Sequence, residues 1–330
     1  MELAEYIKHD LVHIRLENEH IRAVFLPEIG GKMIELTNKN TGRQFLLEPQ
    51  QNGYLYKRPN YGDSFENYDT SGFDECFPTV EASELPEMEN CCPDPLIIPD
   101  HGELWSIPWE YEIDKPRLRL SATGKVIKYR FDKSIHLLKN RIHFKYQVEN
   151  QGDFPFHYLW SAHPLLKVVP GAQLILPKEI ENVFLNWASH DAIGKFGDCL
   201  TWPHLNREKE NDYSLVPHRK HGEALKCFTD KLENGYAGIH FPETRDSLLF
   251  EFDVNMNPYL GIWLCYGGWP EGQENKHLTV ALEPSSGRPD SLAKAIEMNE
   301  SSVLKIKETK TWDMSISLWE GLPSHLATKE

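Results

Sequence analysis

Three ionisable side chains stand where predicted strands meet turns: His101, His163 and Glu283. Two imidazoles and one carboxylate can transfer protons without a nucleophile or a metal ion. A cyclic sugar hemiacetal opens by such chemistry, because a base removes the anomeric hydroxyl proton while an acid protonates the ring oxygen. Burial can raise the pKa of a glutamate toward the range that suits the base, and a protonated histidine suits the acid. The residue types therefore favour acid–base ring opening.

Each of these residues, taken alone, also has a purely structural interpretation. An isolated His-Gly pair such as His101-Gly102 more often marks a surface loop, although the glycine would let the backbone approach a ligand. His163 could hydrogen-bond at a sheet rim. Glu283 follows small residues on its strand face, and a glutamate is rarely buried without a partner, so it belongs either at a rim or in a site. We predict that the three side chains converge on one open cleft on a concave sheet face.

Strands must position these residues, because apolar and polar side chains alternate through much of the chain. Residues 142–149 predict a strand with one wet face, and residues 156–162 predict the strand that ends at His163. Further predicted strands cover residues 236–241, 248–253, 259–265, 278–283, 303–307 and 312–319. Only residues 291–298 read as a helix, with Asp290 or Ser291 as the N-cap. Many strands and one helix predict an all-β antiparallel sandwich of unusual size.

Two long segments, residues 54–109 and 180–219, carry Pro, Gly, Asp and Asn without repeats or low complexity. Loops of that length are usually functional rims on a rigid sheet. No linker divides the chain, so we expect a single domain over residues 1–330.

The 330-residue chain is acidic, with 50 Asp and Glu against 35 Lys and Arg and a formal net charge of −15. Such a chain repels phosphate backbones and anionic lipid heads, so we expect no nucleic-acid or membrane partner. No stretch approaches the roughly 20 apolar residues of a membrane span, and we expect no signal peptide. The six cysteines, Cys91 and Cys92 among them, are expected to be free thiols in a reducing cytoplasm.

Several sequence motifs of common chemistries are absent. The chain has no G-x-G-x-x-G, G-x-x-x-x-G-K-[ST], G-x-S-x-G or H-E-x-x-H, which argues against nucleotide-dependent enzymes, α/β-hydrolases and zincins. A metal site built from His101, Glu103, His157 and His163 is an alternative, but the chain offers no tight ligand motif. We therefore expect neither a metal ion nor another cofactor.

Together these segments resemble the aldose 1-epimerase, or galactose mutarotase-like, family over most of the chain. The similarity begins at residues 16–33, continues through His101-Gly102 and His163-Pro164, and ends at residues 279–291. The pair Pro289-Asp290, which follows Glu283, is the most specific element. The resemblance implies a large antiparallel β-supersandwich, with Glu283 as general base, His163 as general acid and His101 hydrogen-bonded to the sugar.

The sequence departs from the best-known galactose mutarotases at two places. Their Gly-Arg…Asn-Arg segment is missing before the first histidine, and residues 71–78 stand in its place. Asp74 and Glu75 in this segment would bind sugar hydroxyls instead. The spacing from Glu283 to Pro289 is also one residue longer.

Other side chains complete the predicted substrate site. Trp105 and Trp263 would stack on the apolar face of the sugar. Arg288 is the only basic residue beside a proposed catalytic group in the sequence, and a phosphosugar would need a cluster of them, so a neutral aldose is preferred.

Three functions remain open at this point. The first is an isomerase, an aldose 1-epimerase that interconverts the anomers of a neutral aldose. The second is a carbohydrate-binding protein on the same fold that turns nothing over. The third is a lyase or glycosidase that uses Glu283 with Asp74 or Glu75, since glycosidases need two carboxylates roughly 5–9.5 Å apart. The sequence leaves the oligomeric state open, with a homodimer as one arrangement.

Overall fold

The computed structural model describes residues 2–50, 54–85, 95–205, 211–218, 222–272, 274–323 and 326. Cys91 and Cys92 lie outside these ranges. Four other cysteines are free thiols: Cys76, Cys227 and Cys265 are buried, and Cys199 is exposed.

The described residues form strands throughout, with one short α-helix near the C-terminus. The strands are β1 Glu2–Lys8, β2 Leu11–Glu17, β3 Ile21–Leu26, β4 Lys32–Asn38, β5 Phe73–Cys76, β6 Ser83–Leu85, β7 Leu96–Ile98, β8 Glu110–Asp114, β9 Arg117–Thr123, β10 Tyr129–Leu138, β11 Arg141–Asn150, β12 Phe156–Tyr158, β13 Ser161–Lys167, β14 Gln173–Ile175, β15 Asn182–Ala188, β16 Cys199–Thr201, β17 Glu223–Thr229, β18 Tyr236–Phe241, β19 Asp246–Phe252, β20 Tyr259–Tyr266, β21 Leu278–Ser285, β22 Ser302–Leu304 and β23 Thr309–Glu320. The helix α1 is Leu292–Glu297.

Two large antiparallel sheets carry most of these strands. The larger sheet has eleven strands in the order β1-β2-β3-β4-β5-β13-β21-β20-β17-β15-β16, and the smaller has eight in the order β14-β18-β19-β23-β11-β10-β9-β8. Their apolar faces pack together: Phe73 of β5 contacts Phe144 of β11, with ring centroids 5.9 Å apart. One large core of buried apolar side chains joins both sheets. The predicted all-β antiparallel fold is confirmed.

Most of the elements that local patterning predicted lie within a few residues of those in the structure, but β5, β6, β7, β15 and β16 fall in the two segments that were expected to be loops. Residues 236–241 coincide with β18, and in β10 and β11 buried side chains alternate with more exposed ones. The helix begins after Ser291, whose side chain accepts a hydrogen bond from the backbone N–H of Lys294, so Ser291 rather than Asp290 is the N-cap.

The predicted strand over residues 156–162 was wrong in one respect, because the chain changes sheets within it. β12 pairs with β22, whereas β13 pairs with β5 and β21. Between them, the backbone N–H groups of Leu159 and Trp160 donate to Pro78 O and Ser286 Oγ. β13 then continues through Pro164, so His163 lies inside a strand and not at its end.

Candidate active site

The larger sheet carries a cleft of about 630 Å³ on one face. Glu75 of β5 accepts hydrogen bonds from Lys133 and Tyr146 of the smaller sheet. Its neighbour Asp74 therefore faces the opposite side of the larger sheet. His163 of β13 lies opposite Asp74 and shares that outer face. The cleft therefore opens on the side of the larger sheet that the smaller sheet leaves uncovered.

His101, His163, Glu283 and Trp263 all line this cleft. Glu283 lies opposite Gly261 of β20, and β21 is flanked on its other side by β13, which carries His163. His101 comes from the loop that follows β7. The structure thus brings together the three residues in which the sequence predicted acid–base chemistry.

The carboxylate of Glu283 is fully buried and asymmetrically held. Its Oε2 atom contacts Lys226 Nζ and lies 3.4 Å from Ser161 Oγ. Its Oε1 atom is buried without a hydrogen-bond partner among the described residues. Burial raises the pKa of Glu283, while the ammonium group of Lys226 opposes that rise and Asp290 adds to it. One oxygen is therefore anchored and the other is free to accept a proton.

Lys226 is a cleft residue that the sequence analysis missed. It joins Glu283 to Asp290, whose Oδ1 lies 3.3 Å from Lys226 Nζ, and Asn186 Nδ2 donates to the other oxygen of Asp290 at 3.0 Å. Burial alone would lower the pKa of Lys226, but Asp290 and Glu283 raise it above its usual value. The lysine stays charged and holds two carboxylates together. The available signal was a lone cation in an otherwise apolar stretch, residues 224–228.

Gly261 leaves the space through which Lys226 reaches Glu283. A Cβ atom built at Gly261 would lie 3.1 Å from Lys226 Cε and 3.3 Å from Glu283 Cβ. It would also lie 3.2 Å from a ring carbon of Phe228. These distances are shorter than ordinary contacts, so any larger residue would press on both partners of the ion pair.

The two histidines form a contact pair at the other side of the carboxylate. Their ring centroids are 5.0 Å apart and nearly perpendicular, and Phe65 stacks on His101 at 4.2 Å. Asp100 Oδ1 lies 2.8 Å from Nδ1 of His101. Burial raises the pKa of Asp100, but hydrogen bonds with His101 and the backbone N–H of Phe65 hold it below its usual value. His101 is thus anchored by an ionised carboxylate.

The surroundings of His163 differ from those of His101, and they do not favour the protonated form that we expected. It is 7% exposed, and its Nδ1 atom has no hydrogen-bond partner among the described residues. Burial, followed by the positive charges of His101, Lys226 and Lys32, lowers the pKa of His163 well below its usual value. In the free protein His163 is therefore neutral near pH 7, whereas the assignment as a standing general acid requires the imidazolium.

Gly102 is required for a reason other than the one the sequence suggested. Its φ angle is +73°, and a Cβ atom there would lie 2.2 Å from the carbonyl oxygen of Phe77. The glycine therefore lets the loop that carries His101 pass directly against the backbone of Phe77.

Trp105 does not line the cleft, contrary to expectation. It is 2% exposed, its Nε1–H donates to the carbonyl oxygen of Asp100 at 2.8 Å, and its ring meets the edge of Phe65. Trp105 therefore packs against the residues around His101 and does not face the cleft. Phe65 forms the aromatic surface that the sequence analysis had assigned to Trp105.

Asp74, Glu75 and Arg288 also lie outside the cleft lining. Asp74 is buried opposite His163 on the neighbouring strand, with Oδ2 3.1 Å from Lys32 Nζ, and burial raises its pKa to about 6. Glu75 is fully buried on the core side, where Trp160 Nε1 also donates to it. The guanidinium of Arg288 is paired with Glu300. These three residues therefore support the fold around the site and cannot bind sugar hydroxyls as expected.

The residues of the alternative metal site do not converge. Glu103 accepts hydrogen bonds from Tyr61 and from the backbone N–H groups of Lys125 and Val126, and His157 lies beside Ser301. In the described ranges no group of three or more His, Cys, Asp and Glu side chains is arranged to hold a metal ion.

Comparisons with known proteins agree with this architecture. Residues 3–62 match a family model described as a domain of unknown function, DUF5107. No curated protein sequence matches the chain. Among solved structures, a galactose mutarotase-like protein from Clostridium acetobutylicum superposes with a TM-score of 0.68 at 15% identity, covering 97% of this chain and 98% of that one. The chain has the galactose mutarotase-like fold.

Two further solved structures superpose on almost the whole chain. The Slr1438 protein from Synechocystis sp. PCC 6803 has a TM-score of 0.69 and 15% identity, over 97% of this chain and all of that chain. A galactose mutarotase-like protein from Lactobacillus casei ATCC 334 has a TM-score of 0.67 and 13% identity, over 93% of this chain and all of that chain.

Within the part of the chain that the structure describes, no helix is long and apolar enough to traverse a bilayer.

Proposed function

We propose that this protein is a mutarotase, an isomerase that interconverts the α and β anomers of a neutral aldose. The observation that carries the proposal is the convergence of Glu283, His101 and His163 on one cleft. A buried carboxylate with a raised pKa beside an imidazole pair is the arrangement that ring opening of a hemiacetal needs. The galactose mutarotase-like fold supports the same reaction class.

Glu283 acts as the general base through its free Oε1 atom. It takes the proton of the anomeric hydroxyl while the bond between the anomeric carbon and the ring oxygen breaks. Lys226 holds Oε2 and favours the ionised form, which offsets the burial that would otherwise keep the carboxyl protonated. The product is the open-chain aldehyde, and rotation followed by the reverse steps closes the other anomer.

The histidine pair, and not His163 alone, supplies the proton to the ring oxygen. The rings of His101 and His163 are in direct contact, with their centroids 5.0 Å apart. In this proposal His101, held by the Asp100 carboxylate, donates the proton, and neutral His163 hydrogen-bonds the sugar. Proton loss from Glu283 on ring closure and proton return to the pair restore the starting state.

The charges of the cleft favour a neutral substrate. Its two described ammonium groups are both near carboxylates: Lys226 is paired with Glu283 and Asp290, and Lys294 lies 3.9 Å from Glu81. No arginine lines the cleft among the described residues. A phosphate or uronate group would thus meet carboxylates without an unengaged cation.

The glycosidase alternative loses the two carboxylates that the sequence analysis assigned to it as partners of Glu283. Asp74 and Glu75 are paired with Lys32 and Lys133 outside the cleft, and Lys226 is paired with both Glu283 and Asp290. The binding-protein alternative differs from the proposal only in turnover. An assay of anomer interconversion therefore decides between them.

The test is a polarimetric or NMR exchange assay with freshly dissolved glucose, galactose and xylose, with glucose 6-phosphate as the charged comparison. We expect interconversion of at least one neutral aldose well above the buffer rate and little acceleration for the phosphate. Sugar binding without acceleration would identify a binding protein instead. Faster turnover of the phosphate would overturn the neutral-substrate assignment.

Gly261→Ala is expected to slow anomer interconversion about tenfold or more. The added methyl group pushes Lys226 away from Glu283, and overpacking of this kind costs about 1–3 kcal/mol. Rates and melting temperature should be measured on the same preparation, so that a slower rate in a folded protein is attributed to the displaced ion pair. An unchanged rate would show that Lys226 reaches Glu283 by another path.

A further inference from the structure

A ridge of tryptophans continues the cleft beyond the proposed catalytic residues. The ring centroids of Trp187 and Trp263 are 5.7 Å apart with planes 32° from parallel, and Trp269 meets Trp263 edge-on at 6.2 Å. All three rings are half-buried and line the cleft. Half-buried indole rings that line a cleft present an apolar surface that a ligand can reach.

The strand register places Trp263, and with it this ridge, close to Glu283. Trp263 lies opposite Ala281, two residues before Glu283 on β21, which corresponds to about 7 Å along the strand. Trp187 lies opposite Lys226, which lies opposite Trp263, so the ridge runs across three neighbouring strands on the face of Glu283. The ridge therefore leads sideways from the reacting centre.

The size of the cleft agrees with a ligand longer than one pyranose ring. Its volume of about 630 Å³ is several times that of a single hexose. One ring bound between Glu283 and the histidine pair would leave Trp187, two strands beyond β20, uncovered. The C–H face of a second sugar ring is the flat apolar group that fits such a wall, and its hydroxyls remain at the open side of the cleft.

We propose that this ridge is a second sugar subsite, and that the substrate is the reducing end of a neutral disaccharide or longer oligosaccharide. The reducing ring lies at Glu283 and the next glycosyl unit stacks on Trp263 and Trp187. This inference rests on the proposed mutarotase function for its reaction, but the binding it describes can be measured without turnover.

The experiment compares glucose with the reducing disaccharides maltose, cellobiose and lactose. We expect kcat/KM for at least one disaccharide to exceed that for glucose about tenfold, mainly through a lower KM. Trp187→Ala should reduce this preference about five- to tenfold, the factor expected for loss of one aromatic stacking partner. Trp187→Phe, which keeps a ring, should retain most of it. Trp319 is a half-buried tryptophan of β23 in the smaller sheet. Trp319→Ala is therefore the matched control and should change kcat/KM neither for glucose nor for the disaccharides.

Binding to the Glu283→Gln protein, measured by calorimetry with the same sugars, separates this proposal from the catalytic one. Tighter binding of a disaccharide that Trp187→Ala weakens supports the subsite even if no sugar is interconverted. Turnover of glucose with no disaccharide preference in rate or binding overturns the subsite and leaves the mutarotase proposal standing. Absence of binding by every sugar overturns both.

Discussion

Glu283→Gln is expected to abolish anomer interconversion while the protein still binds sugar. Glutamine keeps the shape of the side chain and can hydrogen-bond a hydroxyl, but it cannot take the anomeric proton. General acid–base contributions are typically ~10²–10⁴-fold, so the loss should bring the rate close to that of buffer. Polarimetry measures the rate, and calorimetry with the preferred aldose measures the remaining affinity.

Glu75→Gln is the matched control for this experiment. Both glutamates are fully buried in the larger sheet and each is paired with a lysine, but Glu75 faces the core and Glu283 faces the cleft. We expect Glu75→Gln to change the melting temperature without a comparable loss of turnover. Near-normal turnover in Glu283→Gln would move the base elsewhere, with Asp290 as the next carboxylate in the cleft.

Lys226→Met is expected to produce the second largest effect, as a change in pH dependence together with a loss of stability. Removal of the ammonium leaves two buried carboxylates uncompensated, and breaking a buried ion pair from one side costs about 3–5 kcal/mol. Burial and Asp290 then raise the pKa of Glu283 further, so the base is protonated over a wider range. Turnover near pH 7 should fall at least tenfold and recover partly at higher pH.

The sign of the stability change follows from the same shift. A carboxyl whose pKa is higher in the folded than in the unfolded protein binds more protons when folded, so the free energy of unfolding decreases as pH rises through that interval. Lys133→Met is the control, because it leaves the buried carboxylate of Glu75 without its lysine partner on the core side of the sheet. Both variants should lose stability with this pH trend, and only Lys226→Met should displace the acidic limb of the activity profile. An identical displacement in both, or in neither, would contradict the assignment of Lys226.

Much of the fold was predictable because the alternation of side chains in a strand is a local property. Alternating side chains mark β18 and β21, and a capping serine marks the start of α1. These elements can therefore be predicted without knowledge of distant contacts. The residue types of His101, His163 and Glu283 indicated proton transfer, and their order along the chain resembled that of the aldose 1-epimerase family.

The break between β12 and β13 shows where local patterning fails. Alternation continues through residues 156–162, yet the chain leaves one sheet and enters another. The hydrogen bonds that turn it come from Pro78 and Ser286, which are distant in sequence. The period of a strand says which side chains share a face, but not which sheet that strand joins.

The partners of the charged side chains were decided by tertiary structure alone. Alternation separates Asp74 from Glu75, but only the position of the smaller sheet determines that Glu75 faces the core. Lys226 meets a carboxylate 57 residues away, and this contact depends on the pairing of β17, β20 and β21 and on the small size of Gly261. The sequence by itself therefore determined the strands and a set of candidate groups for acid–base chemistry. Which of them are buried, charged or in contact with one cleft was decided by strand register, because electrostatic partners in a sheet are set by neighbouring strands and not by neighbours in the chain.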